Sequence, residues 1–253
     1  MYRYKLTQTQ TRTPNARRLQ ELMLSYHDFR QKRVGHPLEP SIEALGCWQA
    51  QRLRETHRDL YESPRYHEAL DFLLEDLYAP QDFSRRDDDF DRIFPYLIRL
   101  SPDSALFTLS QLVELNLISQ RLDLAMAEWL THEQGLDPIG IETLSDATYA
   151  EAYRACGQVD ERQRQIELMD NVGRDLERYV DSRSLRMGLK MMHQPARMAG
   201  LGDLYQFITE GVHAFRAMGD VSELLETIRK RETRIMKHIL AGGALPRHGA
   251  PQN

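Results

Sequence analysis

The chain is predicted to be all-α: a multi-helix bundle of about nine to ten helices with no sheet. Three observations lead there. Apolar residues recur at three- and four-residue spacings in one segment after another. Most of these segments open on a Ser, Thr or Asp cap, or on a proline in the first turn, and close at glycine or proline. No run shows the sustained two-residue alternation of a half-buried strand.

Residues 1–12 are polar and are expected to form a loose arm. Thr13-Pro14 opens a helix whose stripe is Leu19, Leu22, Met23 and Tyr26, with Phe29 beside it; Gly35 and Pro37 close it. A second helix is expected from about Ser41 to Leu60, on Ile42, Leu45, Trp48 and Leu53. Its apolar pattern is the weakest in the chain.

The stretch from Leu70 to Pro102 concentrates polar chemistry at a turn. Ser63 is placed as N-cap and Pro64 as first residue of a helix reaching Tyr78, with Tyr66, Leu70, Leu73, Leu74 and Leu77 on one face. Ala79-Pro80 ends it, because the residue before a proline is pushed out of helical geometry. Ser84 and Asp87 match an S-x-x-D capping box, and Asp87, Asp88 and Asp89 lie where the helix macrodipole favours negative charge. Ile93, Leu97 and Leu100 form the stripe of this helix, and Pro95 is expected to kink it. Arg85 and Arg86 are expected to pair with Glu75, Asp76 or Asp82. The corner offers a candidate ligand-binding set of Asp76, Tyr78, Asp82, Arg85, Arg86 and Asp87, with His57 added from the preceding helix. The same residues also read as a capped helix pair whose charges meet water.

Phe72-Leu73-Leu74-Glu75-Asp76-Leu77-Tyr78, followed by Ala-Pro-x-Asp-Phe-Ser-Arg-Arg-Asp, resembles the signature of a bacterial family of uncharacterised proteins named for an FFLEELY motif. Leu73 stands where that motif has its second Phe, and Asp76 where it has its second Glu. The motif covers under a tenth of the chain. The resemblance implies a bacterial, all-helical protein and carries over no catalytic residue.

Ser101-Pro102-Asp103 repeats the cap-plus-proline start and leads into a long helix ending near Glu133. Leu106, Leu109, Leu112, Val113, Leu117, Leu122, Leu124, Ala125 and Trp129 cover more than one face of it, which predicts a central helix surrounded by others. Gly135 to Leu144 has two glycines and a proline and reads as a boundary. Ser145 caps a short helix ending near Gly157, and Asp160-x-x-Gln163 resembles a capping box for one reaching Val180. Ser182 or Ser184 starts a methionine-rich helix interrupted by Pro195; amphipathic helices follow from Leu201 to Met218 and from Val221 to Ile239. The expected organisation is an N-terminal bundle over 1–134, a C-terminal bundle over 145–241 packed on it, and a flexible tail over 242–253.

Composition narrows the function. The formal charge is −5 and the mean hydropathy −0.58, as for a water-soluble chain. No run approaches the ~20 apolar residues of a membrane span. The first residues, MYRYKLTQTQTRTPNARR, lack the apolar core of a secretory signal, so a cytoplasmic location is expected. Cys47 and Cys156 fit no metal or redox spacing, and a disulfide is not expected in a reducing cytoplasm. Residues 61–180 hold 25 acids against 11 bases, between two basic ends. Such a distribution favours docking or head-to-tail association rather than nucleic-acid binding.

Motifs for known chemistries are sparse. A di-iron bundle needs two Glu-x-x-His pairs, and Glu210-Gly211-Val212-His213 is the one present, so no metal site is predicted. A non-covalent haem would need one axial histidine, for which His57, His193 and His213 are candidates. Glycine-rich phosphate loops, zinc motifs and nucleophile elbows are absent from the sequence. The basic run Arg229-Lys230-Arg231-Glu232-Thr233-Arg234 reads as the solvated face of the final helix, helped by a Glu226–Lys230 pair. The function expected is a soluble cytoplasmic helical protein-interaction or scaffold module that binds a protein partner or itself, a homodimer included. The alternative is a ligand-binding protein or enzyme with its polar site at the Tyr78–Asp87 corner, or a non-covalent haem or metal binder. The sequence assigns no catalytic residue and no cofactor.

Overall fold

The computed structural model describes residues 2–33, 35–73 and 84–246; at 2, 3, 5, 84–88, 90, 91, 100 and 184 it describes the backbone alone. The described residues are all-α. They form α1 (Tyr2–Gln8), α2 (Pro14–Arg33), α3 (Glu39–Thr56), α4 (Arg58–Tyr61), α5 (His67–Asp71), α6 (Ser84–Leu100), α7 (Asp103–His132), α8 (Pro138–Glu142), α9 (Asp146–Cys156), α10 (Val159–Val180), α11 (Arg183–Met198), α12 (Gly202–Met218) and α13 (Ser222–Leu240), with no strand among them.

Local chemistry fixes many of the starts. Thr13 Oγ1 accepts from the Ala16 amide at 3.2 Å, ahead of the proline that opens α2. Asp137 caps α8 through the Gly140 amide (2.8 Å), Ser145 caps α9 through Thr148 (3.1 Å), and Ser182 caps α11 through Leu185 (3.5 Å). Gly157 ends α9 at φ +65°, a backbone region closed to most side chains.

The structure differs from these expectations at several points. The amino-terminal residues are not a loose arm. They include α1, whose Leu6 is wholly buried with Ala16, Leu19, Met23, Phe94 and Leu106, and Gln20 Nε2 donates to the carbonyls of Leu6 and Thr9. One leucine in a polar run gives no periodicity, so only tertiary packing reveals it. The helix expected from Pro64 starts at His67, because the Ser63 carbonyl accepts from both Tyr66 and His67 amides and forms a turn. α10 begins at Val159, one residue before its acidic box and just after Gln158 in a left-handed conformation, so Asp160 acts through the helix dipole rather than as a cap. The boundary segment holds α8, whose Ile141 is fully buried against α3. α11 runs on through Pro195 rather than being interrupted there, and α6 is helical on both sides of Pro95.

α7 is the axis of the fold. At 30 residues it extends ~45 Å and packs against α2, α3, α9 and α10. Its lower half joins α3, α8, α9, α10 and α13 in the largest apolar cluster, which includes Leu45, Trp48, Met126, Leu130, Tyr149 and Ile239. That cluster draws on both halves of the sequence. A second cluster gathers α4, α5, α12 and the start of α13 around Leu70, Phe215 and Leu224. α11 lies at the edge, touching α12 and α10. Residues 242–246 fold back, with Leu245 buried and the Gly243 carbonyl accepting from Arg154 at 2.9 Å.

Candidate functional site

A charged region lies in the interior where α3 meets α13. α3 carries Gln49, Arg52 and Thr56 on the same side as Leu45 and Trp48, so its stripe is part polar and still buried. This explains the weak apolar pattern of that segment. On α13, Glu232 falls in phase with Ile228, Ile235 and Ile239 and therefore turns inward.

Arg52 Nη1 lies 2.7 and 2.8 Å from the two Glu232 carboxylate oxygens, and His57 Nε2 lies 2.8 Å from Oε1. All three side chains are at least nine-tenths buried. Burial alone would push the Glu232 carboxyl up. The Arg52 charge and the His57 hydrogen bond outweigh it and hold the carboxyl down at about 2. An ionised carboxylate only accepts, so His57 Nε2 carries the donating hydrogen. His57 Nδ1 is buried with no hydrogen-bond partner among the described residues. Arg231, next to Glu232 in the chain, makes a two-pronged pair with Asp59 of α4 at 2.6 and 2.7 Å.

The polar region continues inward. The Arg162 guanidinium stands 3.5 Å from the Tyr153 ring centre, a buried cation–π contact. Burial pushes the Tyr153 hydroxyl up to about 12. Asp123, half-buried on α7, is raised to about 6 by burial, against the opposing Gln49 hydrogen bond and the charges of Arg162 and Arg33. Trp48 stacks on Tyr149 at 4.5 Å and donates Nε1–H to the Leu144 carbonyl at 2.9 Å.

Two concavities border these elements. A shallow one of about 200 Å³ is lined by Trp48, Gln51, Arg52 and the α8 end. It is smaller than the ~300 Å³ at which small-molecule sites begin. A wider cleft of about 510 Å³ lies between α5 and α12, where Glu68, Asp71, Glu210 and His213 surround Phe72 and Thr209. The Phe72 ring packs at a tilt against Phe207, ring centres 5.2 Å apart, and Asp71 accepts from the Tyr61 hydroxyl.

Of the sequence-derived site residues, His57 is directed at Glu232 of α13. Asp76, Tyr78 and Asp82 lie outside the described residues. Arg85, Arg86 and Asp87 occupy the first turn of α6, their side chains outside the description. The haem candidates stand apart: His193 is exposed beside the Tyr205 ring, and His213 is exposed with Nε2 3.6 Å from Glu68 Oε1. Among the described residues no three His, Cys, Asp or Glu side chains form a group able to hold a metal ion. The basic run on α13 is more than a solvated face, since Arg231 and Glu232 make interhelical pairs while Lys230 takes the expected Glu226 partner. The readable signal for Arg52, Arg162 and Glu232 is a charge in phase with an apolar stripe.

A family model described as a domain of unknown function (DUF8198) matches residues 28–246. The chain belongs to this family. The match takes in α3, α7, α10 and α13, and so every member of the buried ionic region. No curated protein and no solved structure matches the chain. Among the described residues no helix is long and apolar enough to cross a membrane.

Proposed function

We propose that this chain is a helical protein-interaction module. The observation that carries the reading is the outward face of α11, where Met187, Met191 and Met198 are 67%, 72% and 87% exposed. Contiguous exposed apolar side chains on a water-soluble chain mark a contact surface, and methionine adapts to varied partners. The inner charges support a scaffold role, because the Arg52–Glu232–His57 set pairs within itself and ties α3 to α13. With a carboxyl held at about 2, Glu232 is far from the range of a general acid or base at neutral pH. The same reading keeps the chain with the bacterial FFLEELY-motif proteins, on its Phe72–Tyr78 stretch, and in the cytoplasm.

The test is light scattering across micromolar concentrations, joined to photo-crosslinking in native cells from positions on α2, α11 and α13. A discrete adduct with one protein, or a concentration-dependent dimer, is the expected result. A monomer with no adduct from any position would remove the reading. A second reading, ligand binding, is favoured by the α5–α12 cleft, whose size suits a small molecule and whose lining is acidic around an aromatic ring.

A further inference from the structure

α11 differs from every neighbouring helix in the way its surface is divided. Leu185, Leu189 and buried Ala196 face inward. Met187, Met191 and Met198 recur at i, i+4 and i+11, within about 40° of one another on a 3.6-residue helix, and point to water. Arg183, Arg186, Lys190 and Arg197 line one flank of this stripe. The helix RSLRMGLKMMHQPARM contains no acid, and none of these four cations takes an ion pair or hydrogen bond with a described residue. The other flank carries Gly188, where an added Cβ would meet nothing within 4 Å, and Pro195.

From this division we infer that the methionine face of α11 docks an amphipathic helix of a partner protein whose apolar stripe is bordered by carboxylates. The inference rests on the interaction-module reading and names its partner class. The charge complement is direct: four cations along one flank ask for anions along one flank of the occupant. The open flank at Gly188 lets a second helix approach closely. An interfacial helix lying on lipid has cations available to reach the headgroups, but here they border one side only, and the whole chain carries −5. A second copy presenting the same face antiparallel would set the two basic flanks side by side, which repels.

The test uses the full chain and a fluorescein-labelled peptide of about five helical turns, built with a leucine stripe and glutamates along one flank. Anisotropy is expected to show micromolar binding that weakens as salt is raised. The K190E/R197E variant and the M187S/M191S variant, all at exposed positions, are each expected to lose at least about tenfold in affinity with unchanged circular dichroism. A peptide with lysine in place of each glutamate should bind at least about tenfold more weakly than the glutamate peptide. Equal binding of both peptides, or full binding by both variants, overturns the inference. So does capture by phosphatidylcholine vesicles containing phosphatidylglycerol when the peptide does not bind, and so does a dimer dissolved by the M187S/M191S variant. A protein adduct in native cells combined with no peptide binding sinks this inference and leaves the module reading intact. Loss of both sinks both.

Discussion

Arg52 and Glu232, 180 positions apart in the sequence, meet at 2.7 and 2.8 Å in the interior and join the second long helix to the last one. Breaking one side of a buried pair leaves an uncompensated charge, which costs ~3–5 kcal/mol. Glu232→Gln is therefore expected to lower stability by that amount in urea unfolding. The double variant Arg52→Met with Glu232→Met should recover most of the loss, since replacing both charges by apolar groups removes the desolvation penalty. A double variant no more stable than Glu232→Gln would show that the pair is not the source.

Acid should weaken the fold through the same carboxylate. Its folded value of about 2 lies below the ordinary 4.5, so the unfolded chain binds more protons between those values. The stabilisation is fully present above the unfolded pKa and lost as pH falls through the folded one. About 3 kcal/mol is at stake. Urea midpoints measured from neutral pH down to strongly acidic pH should fall steeply in the wild type and much less in Glu232→Gln.

Asp123 acts with the opposite sign. Its folded value of about 6 is above the ordinary 3.8, so its contribution is present at low pH and lost as pH rises through about 6. Asp123→Asn keeps the shape and the hydrogen bond with Gln49 while removing the buried charge. It should stabilise the protein at neutral pH by about 1–3 kcal/mol, discounted for partial exposure, and flatten the profile between the two values. A destabilised variant at neutral pH would count against burial as the cause.

Gly211 on α12 admits the Phe72 ring. A Cβ there would stand 2.7 Å from the ring edge, and a ring cannot yield as a flexible chain end can. Gly211→Ala is expected to cost about 1–3 kcal/mol despite the better helix propensity of alanine. Gly188→Ala on α11 faces open space and should be neutral or slightly stabilising in the same thermal unfolding measurement.

Trp48→Phe should cost about 1–3 kcal/mol, because the buried Leu144 carbonyl loses the indole donor at 2.9 Å. The check is chemical unfolding followed by circular dichroism, with hydrogen exchange at α8 expected to quicken first.

What the sequence determined by itself was the part governed by local forces. Helical periodicity, the caps at Thr13, Ser145 and Ser182, and the breadth of the apolar surface on the Asp103–His132 helix specified an all-α bundle around a central helix. These signals lie within a few residues of one another, so they are legible in one dimension. Tertiary structure alone decided the rest. α1 exists because Leu6 finds a pocket formed by residues far along the chain, and no local pattern announces that. His57 reads in the sequence as one of several polar residues near a turn, but its partner Glu232 lies 175 positions away in a run that reads as solvated. The inward turn of Arg52, Arg162 and Glu232 is legible as a charge in phase with an apolar stripe, but the partner each meets is set by the helices that surround it. Long-range pairing depends on which faces the fold brings together, and linear spacing does not encode that.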